Sequence, residues 1–580
     1  MARSGLRRAA LVALAAIALA AAVGAGALAL LWASRRPPES RVFVNAVVRT
    51  EDAGDRVAEA IALSRDRIVA VGTRAQVEPF IGRGSVVTDL GGKTVVPGFI
   101  EAHGHFPGSG LSAIGVDLAS PPIGSVRSIE EAVAALREKA KTLSRDAWLV
   151  GYGYDDMRLE ERRHFTRADL DAASTEHPVF VMHVSGHTAV VNGLALERLG
   201  ISDATPSPPG GEIHKDPATG RPTGRLDETA LAEARKEALA FSLVEGLRVA
   251  RRAAADYAAA GVTTAQLGLA DQAMFTAMAR LSRLGVIPQR LVAWPDAALA
   301  ERLVRGELRR EDFESDAFHV GAVKLVADGS IYIYTAYLTE PYFTPHAGDS
   351  ADRGYPIHAA AELARIVRRF HDAGLQIAVH ANGDAAIDDA LAAFASAQQE
   401  APRSDARHIL VHAQMARPDQ LDTMLRLGVT PTFHNPHTYF FADRHWEVFL
   451  GPERTARISP LASARARGLR FSLHNDTPVM PIDPLLAVWC AVFRRSAAGR
   501  EIGPDERIPA EAALRGVTID AAWQSFLEGS RGSLEPGKLA DLVVLSDDPV
   551  AHPERIREIR VVETIVGGRT IYRAEPRAGD

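Results

Sequence analysis

The stretch VVPGFIEAHGHF, residues 95–106, determines how the rest of the sequence is interpreted. It begins as an apolar strand, breaks at Pro97-Gly98, and ends with His103 and His105, which are separated by one residue. Side chains two residues apart on an extended strand point to the same side. Both imidazoles can therefore reach one metal ion at the end of a strand. Taken alone, the pair is equally compatible with two solvated histidines.

Length and composition describe a globular protein of two or three folded units. The chain has 580 residues, of which 47% are hydrophobic and 24% charged, as in ordinary globular proteins. A net charge of -6 gives no basic surface for nucleic acid, so no nucleic-acid partner is expected. Cys490 is the single cysteine, which excludes an intramolecular disulfide and a cysteine-based metal site.

The N-terminal region predicts export across a membrane. Three arginines within residues 1–8 precede an apolar run, residues 9–33, that is long enough to span a bilayer as a helix. These arginines favour a cytoplasmic N-terminus, which places the catalytic part outside the cytoplasm. The sequence therefore predicts a transmembrane anchor within residues 1–40 and a location in the cell envelope. A long signal peptide is the alternative, because residues 25–27 (AGA) resemble a cleavage site; the protein would then be secreted or periplasmic.

The apolar runs predict an α/β fold built around a (β/α)8 TIM barrel. Strand-like runs alternate with helical patterns, which is typical of a parallel sheet covered by helices. Eight runs are assigned to barrel strands: residues 94–103, 262–267, 288–294, 318–327, 375–380, 408–412, 429–433 and 469–474. The active site of such a barrel lies at the carboxyl ends of its strands.

The regions outside these eight runs predict an insertion and a composite β-sandwich. Two further strand-like runs fall in an insertion at about 107–245, because that gap is far longer than one crossover helix needs. Residues 41–96 and 526–580 show short β patterns, and neither has enough strands for an independent sheet. Because chain termini often lie close together, both are predicted to build one small sandwich. The barrel domain then covers residues 97–525.

Later strand ends carry further potential metal ligands. His380 and His412 end two adjacent predicted strands, and Asp476 follows the last strand. Lys324 lies within an apolar strand, where an unmodified ammonium has no lone pair to offer a metal. If carbon dioxide carbamylates its amine, the side chain becomes a carboxylate that can bridge two cations. A lysine paired with Asp328 is the alternative.

Together these residues indicate a metal-dependent hydrolase. Imidazole and oxygen ligands without thiolate suit zinc, manganese, iron or cobalt, and we expect one or two divalent ions, zinc first among them. A metal in such a site lowers the pKa of bound water to about 7 and can polarise a carbonyl oxygen. Asp476 can bind the metal and accept a proton from that water, which makes it the predicted catalytic base. His474, two residues earlier, is a possible neighbour.

The ligand pattern resembles that of the amidohydrolase superfamily. The resemblance covers residues 41–573 and includes GSLEPGKLADLVVL near the C-terminus. It rests on six residues at the expected strands: His103, His105, Lys324, His380, His412 and Asp476. Residues 185–196, 210–224 and 323–330 are also similar to the YtcJ-like branch, amidohydrolase family 3, which includes N-substituted formamide deformylase.

This resemblance implies a role for each ligand. His103 and His105 would bind the more buried metal ion. His380 and His412 would bind the second ion, and a carbamylated Lys324 would bridge the two. The aspartate of the pattern would be both metal ligand and general base. A mononuclear site that uses part of this set stays open, because members of the branch differ in metal number.

The segment SGHTAVVNGLAL, residues 185–196, is predicted to line the substrate pocket. His187 and Asn192 are its candidate substrate-binding residues. The alternative is that this segment is a capped helix start within the insertion, because asparagine is a preferred N-cap residue.

The predicted function is hydrolysis of an amide, N-acyl or N-formyl bond in a small molecule. An exported esterase or lactonase that uses the same site is one alternative. A membrane-tethered binding protein without catalysis is another, although the complete ligand set argues against it. The sequence specifies neither the substrate nor the oligomeric state, and a homodimer is compatible with it.

Overall fold

The computed structural model describes residues 39–346 and 348–575. The predicted N-terminal anchor, residues 9–33, lies outside these described residues. Within the part of the chain that is described, no helix combines the length and apolarity that crossing a membrane requires.

The N-terminal region forms a series of short strands. They are β1 (Ser40–Val44), β2 (Val47–Arg49), β3 (Val57–Ala58), β4 (Ala60–Ser64), β5 (Arg67–Gly72), β6 (Val86–Asp89), β7 (Thr94–Pro97) and β8 (Phe99–Ile100). Many of their residues are β-branched or alanine, and turns with glycine or aspartate separate them. Four of the strands form one sheet in the order β5-β4-β1-β6.

A second sheet follows, between β8 and the long parallel strands. Its members are β9 (Val116–Asp117), β10 (Leu149–Tyr154), β11 (Val179–His183), β12 (Thr188–Val191), β13 (Gly211–Lys215) and β14 (Pro222–Glu228). Their order is β13-β14-β12-β11-β10-β9, and β13 and β14 pair as an antiparallel hairpin. We call this six-stranded unit the inserted sheet.

The runs that were assigned to barrel strands all contain strands of two parallel sheets. After β8 these are β15 (Val262–Ala270), β16 (Arg290–Pro295), β17 (Phe318–Val320), β18 (Val323–Val326), β19 (Ile377–Ala381), β20 (Ile409–His412), β21 (Thr430–Phe433) and β22 (Ser472–Leu473). One sheet has the order β17-β16-β15-β8 and the other β18-β19-β20-β21-β22. The run at 318–327 is two strands rather than one, because Gly321-Ala322 separates β17 from β18.

The helices pack in several apolar clusters, one of which is the core that they share with the parallel strands. They are α1 (Arg74–Val77), α2 (Ile129–Ala140), α3 (Arg167–Ala173), α4 (Gly193–Arg198), α5 (Ala232–Ala238), α6 (Leu243–Ala259), α7 (Gln272–Arg283), α8 (Ala297–Val304), α9 (Ala360–Asp372), α10 (Asp384–Glu400), α11 (Pro418–Leu427), α12 (His437–Phe440), α13 (Ala442–Arg444), α14 (Gly451–Ala456), α15 (Leu461–Ala466), α16 (Pro484–Phe493), α17 (Ala510–Gly516) and α18 (Ile519–Gln524). Helix α6 is one example of how the sequence sets the start of a helix. Its N-cap Ser242 and Glu245 form a capping box, which satisfies backbone donors at the helix start.

The ends of β8 and β22 are joined by backbone hydrogen bonds. The N–H of Asp476 donates to the carbonyl oxygen of His103 at 3.2 Å, and the N–H of His105 donates to Thr477 at 2.7 Å. The buried carboxyl of Glu101 also accepts from the N–H of Asn475 at 2.6 Å. Burial raises the pKa of Glu101 to about 8. These contacts hold the first parallel strand beside the last one.

The final strands complete a sheet that began at the N-terminus. They are β23 (Leu542–Leu545), β24 (Val561–Val566) and β25 (Arg569–Arg573). The sheet has the order β25-β24-β23-β7-β2-β3, and β23 is antiparallel to β7, with Val544 opposite Val95. Its buried residues include Val48 and Ile565, which pack in one apolar cluster.

The prediction of a single strand over residues 94–103 is wrong. Strand β7 belongs to the mixed sheet with β23, whereas β8 belongs to the parallel sheet with β15. The chain passes from one sheet to the other at Gly98, whose N–H donates to Asp541 at 3.0 Å. A Cβ at Gly98 would lie 2.1 Å from Oγ1 of Thr263, so only glycine fits this crossing.

We predict that Gly98→Ala destabilises the protein, because the added methyl group overlaps Thr263. Overpacking of this kind costs about 1–3 kcal/mol, and the melting temperature should fall. Gly82→Ala is the matched control, since nothing lies within 4 Å of a Cβ at that exposed position. Equal melting temperatures for the two variants would contradict this account of the crossing.

Candidate metal centre

Three histidines surround the carboxylate of Asp476. Nε2 of His103 lies 3.6 Å from Oδ1 of Asp476, and Nε2 of His105 lies 3.4 Å from the same oxygen. Nε2 of His412 lies 3.9 Å from the other carboxylate oxygen, Oδ2. Three potential ligand atoms lie within 4.8 Å of one another, one each from His103, His412 and Asp476. The structure thus brings together four of the six predicted ligands at the carboxyl ends of β8, β20 and β22.

Two of these predicted ligands have an unusual backbone conformation. His412 has a φ of 71° and Asp476 a φ of 60°, both in the left-handed region. Residues other than glycine rarely adopt this conformation, and such strain concentrates at functional sites. Each residue lies at or just beyond the end of its strand.

Lys324 lies on β18, in the same sheet as β20 and β22, and reaches the same cluster. Its Nζ lies 3.0 Å from Nε2 of His103, and the residue is buried. Burial lowers the pKa of Lys324 to about 7. The neutral amine is therefore well populated near neutral pH, and it is the form that reacts with carbon dioxide. The structure places Lys324 with the predicted ligands.

Asp328 does not pair with Lys324, the alternative that the sequence left open. Its Oδ1 lies 3.2 Å from Nδ1 of His380 and accepts from the N–H of Asn382 at 2.9 Å. The second oxygen accepts from the backbone of Gly383 at 2.8 Å. Although these bonds favour the carboxylate, burial raises the pKa of Asp328 to about 7. Asp328 therefore orients His380 rather than balancing the lysine charge.

His380 occupies a second position in the cluster. Its ring centroid lies 4.6 Å from that of His412, and both residues are buried. Contact with a carboxylate through Nδ1 is the arrangement common at metal-ligating histidines. Nε2 of His380 lies 3.2 Å from Nδ2 of Asn382, a contact that a metal ion at this nitrogen would replace. His380 and His412 are therefore neighbouring candidates to offer imidazole nitrogens.

The donor set fits a divalent metal ion. Two fully buried atoms of the cluster, Nδ1 of His103 and Oδ1 of Asp476, have no hydrogen-bond partner among the described residues. An unpaired buried carboxylate oxygen is costly, and a cation would remove that cost. Burial lowers the pKa values of His103 and His412, so both imidazoles are neutral and able to coordinate. The residues present therefore match the cofactor that the sequence predicted.

Two more histidines adjoin the ligands. Nε2 of His474 lies 3.0 Å from Nδ1 of His412. Nδ1 of His474 lies 2.9 Å from Oγ1 of Thr432. Ligand atoms of His412, His434 and His474 all lie within 4.8 Å of one another. The sequence interpretation missed His434, although it directly follows β21 as the other ligands follow their strands. Its position directly after an apolar strand was the signal by which the sequence could have identified it.

His187 lies beside the cluster and comes from the inserted sheet. Its ring centroid is 5.0 Å from that of His380. Its Nδ1 lies 2.8 Å from Oε2 of Glu228. Burial would lower the pKa of His187, but the charge and hydrogen bond of Glu228 outweigh burial and raise it.

The prediction that Asn192 binds substrate is wrong. Its side chain caps α4, with Oδ1 accepting from the N–H groups of Ala195 and Val179 at 3.0 Å. Its Nδ2 donates to the backbone carbonyls of Ser174 and His177. Every hydrogen-bonding position of this fully buried amide is thus used within the protein. The alternative interpretation of the segment, a capped helix start, is confirmed for this residue.

Comparison with known proteins supports the resemblance seen in the sequence. The profile of the amidohydrolase family matches residues 86–572. The N-substituted formamide deformylase of Arthrobacter pascens is 30% identical over 92% of this chain and 98% of its own. YtcJ of Bacillus subtilis is 28% identical over 83% of this chain and 90% of its own.

A solved structure shows the same fold. An uncharacterized metal-dependent hydrolase from Pyrococcus horikoshii superposes with a TM-score of 0.71 and 25% identity. That match covers 92% of this chain and 100% of the other. The family profile spans well over half of the sequence, and the formamide deformylase is aligned over almost its full length. The chain therefore belongs to the amidohydrolase family.

Proposed function

We propose that the protein is a metal-dependent hydrolase that cleaves the C–N bond of a small N-acyl or N-formyl compound. The observation that carries the proposal is the buried Asp476 carboxylate, which lies among three imidazoles and has one oxygen without a hydrogen-bond donor. Similarity to a formamide deformylase over nearly the whole chain supports the choice of a C–N bond. The substrate itself is left to experiment.

The proposal includes a closed (β/α)8 barrel as the scaffold. Strands β17 and β18 are consecutive pieces of one run, which would connect the two parallel sheets on one side. Hydrogen bonds from Asp476 to His103 and from His105 to Thr477 would connect them on the other. The barrel domain would cover residues 97–525, with the insertion at about 107–245. Residues 41–96 and 526–580 would form the composite sandwich.

The proposed ligands divide between two metal positions. His103 and His105 would hold one ion together with Asp476. His380 and His412 would hold the second, and a carbamylated Lys324 would supply the anion between them. Zinc is the proposed metal, in one or two copies, because the set offers nitrogen and oxygen but no sulfur. A bound divalent ion would polarise the substrate carbonyl and activate the attacking water.

The protein's own groups account for the proton movements. Asp476 would take a proton from the water while the water oxygen forms a bond to the carbonyl carbon of the substrate. It would then pass that proton to the nitrogen as the C–N bond breaks, which releases a carboxylic acid and an amine. Asp328 would keep His380 oriented through Nδ1. The short hydrogen bonds between β8 and β22 would keep the base at a fixed distance from His103 and His105.

A substrate panel tests this function directly. The enzyme is stripped of metal, reloaded with zinc, and incubated with N-formyl and N-acyl amines alongside esters and lactones of the same acyl groups. We expect zinc-dependent release of amine from at least one member of the panel. Turnover of the esters alone would favour an esterase. Tight zinc binding without any turnover would favour a binding protein.

We predict that His103→Ala and His380→Ala each lower the metal content and abolish zinc-dependent turnover. Each change removes one imidazole from a position at a strand end, without opening the helix-packed core. Elemental analysis of the purified variants measures the loss. His319→Ala is the control, because His319 pairs with Glu314 and takes part in no contact with the cluster among the described residues. Wild-type metal content in His103→Ala and His380→Ala would contradict the ligand assignment.

We predict that Lys324→Ala loses activity and that short carboxylic acids restore part of it. The argument is electrostatic, since two divalent cations repel and neutral imidazoles do not offset that charge. An added carboxylate can fill the space of the missing carbamate, whereas an amine of equal size cannot. Electron density beyond Nζ in crystals of the metal-loaded enzyme is the second measurement. A metal-loaded enzyme with an unmodified Lys324 would contradict the bridge.

We also propose that residues 9–33 attach the protein to the cell envelope. A chain that begins at Glu39 should remain in the soluble fraction and keep full turnover, because the described strands begin at Ser40. The full-length chain should sediment with membranes. The mass of the mature full-length protein decides between an anchor and a cleaved signal peptide. A truncated chain that is insoluble and inactive would show that the segment is needed for folding.

A further inference from the structure

We infer that Glu228 is a positioning residue that holds His187 against the metal centre, so that the inserted sheet supplies a substrate-contacting side chain to the active site. The inference rests on the proposed function for its catalytic meaning. The positioning itself is a property of the folded chain.

Two hydrogen bonds join Glu228 to His187. The backbone N–H of Glu228 donates to the carbonyl oxygen of His187 at 2.8 Å, and the carboxylate accepts from Nδ1 of the ring at 2.8 Å. The backbone bond fixes the main chain of His187, and the bond to the carboxylate fixes its imidazole ring. Because Nδ1 is the donor, Nε2 is the nitrogen left for another partner. Among the described residues, no hydrogen bond uses Nε2 of His187, and the side chain is 21% exposed.

The backbone at Glu228 is strained. Its φ of 52° and ψ of -120° lie in a region that glycine adopts easily and other residues rarely do. A residue in such a conformation costs about 1–3 kcal/mol. Contacts of the Glu228 side chain must therefore offset the cost of its backbone conformation.

The end of β18 provides a fitted space for the Glu228 carboxylate. Oε1 accepts from the hydroxyl of Thr335 at 2.7 Å. A Cβ at Gly329 would lie 2.1 Å from that oxygen and 2.0 Å from Oγ1 of Thr335. The carboxylate therefore occupies space that is open only because position 329 lacks a side chain. Gly329 follows Asp328, so the same loop seats Glu228 and orients His380.

Two histidine–carboxylate pairs thus lie next to each other at the site. The ring of His187 lies 5.0 Å from the ring of His380, with Glu228 behind the first and Asp328 behind the second. His380 is a proposed metal ligand, so a substrate bound there would lie within reach of Nε2 of His187. That nitrogen can form a hydrogen bond with the amide that is being cleaved. Glu228 itself does not reach the reacting atoms, and it acts through the ring that it holds.

A second histidine–carboxylate pair in the same sheet provides the control. Nε2 of His214, on β13, lies 2.7 Å from Oδ2 of Asp227, the residue before Glu228. His214 has no ring contact with the cluster among the described residues, and it also approaches Glu212. Loss of this pair disturbs the same hairpin without touching His187.

The experiment is a double-mutant cycle in the zinc-loaded, full-length enzyme. Glu228→Gly removes the carboxylate but suits the backbone at that position, so the variant should fold. We expect Glu228→Gly and His187→Ala each to lower kcat/KM by about tenfold or more, as loss of a positioned group does. The double variant should be no worse than His187→Ala alone, because Glu228 acts through that ring. Glu228→Gln should recover most of the loss, since its amide oxygen can still accept from Nδ1, and His214→Ala should match the wild type.

Crystal structures of the same variants give a readout that does not need turnover. In Glu228→Gly the imidazole of His187 should leave its place beside His380, while zinc content and Lys324 stay as in the wild type. An unmoved imidazole would overturn the inference. The inference would also be overturned if Glu228→Gly lowered kcat/KM by the same factor in the wild type and in His187→Ala. A loss of kcat/KM in His214→Ala equal to that in Glu228→Gly would overturn it too. If the wild type turns over no substrate, the proposed function fails, and the position of the imidazole still decides whether Glu228 holds it.

Discussion

The buried carboxylate of Asp476 is the constraint on which the rest of the structure depends. A charged oxygen without a donor is unfavourable in a protein interior, and this one is buried beside three imidazoles. Burial lowers the pKa values of two of them, those of His103 and His412. Although burial alone would raise the pKa of Asp476, the histidines around it, with Nε2 of His105 at 3.4 Å, lower it. A cation bound at this position would offset that cost. The ligands come from separate strands, so the sheets must hold those strands in register.

Much of this arrangement could be predicted from the sequence because ligands follow apolar strands. His103, His412 and Asp476 each come at or just after such a run, and the carboxyl ends of parallel strands meet at one edge. The sheet crossing at Gly98 could not be predicted in the same way. An apolar run shows that a strand is buried, but it does not show which sheet the strand joins. Here the deciding contact is with Asp541, far along the chain.

One of the two residues assigned to the substrate pocket, Asn192, shows where sequence patterns are ambiguous. Asn192 has the residue type of a substrate contact and also that of a helix cap, and only the structure shows its bonds to Ala195 and Val179. Glu228 was missed for a different reason. Its partner His187 is 41 residues away and the strained backbone of a glutamate leaves no mark in the sequence.

The pairing of β7 with β23 has a consequence for how the molecule is made. Val95 and Val544 lie opposite each other although they are about 450 residues apart in the chain, and such distant contacts form late because closing a long loop is entropically costly. Strand β8 continues directly from β7 and carries the chain to His103. During synthesis, β7 therefore has its neighbour β2 but lacks its other neighbour, β23, until nearly the whole polypeptide has emerged. A ribosome-bound chain would therefore present an incomplete candidate site, and the proposed metal loading would follow completion of the chain.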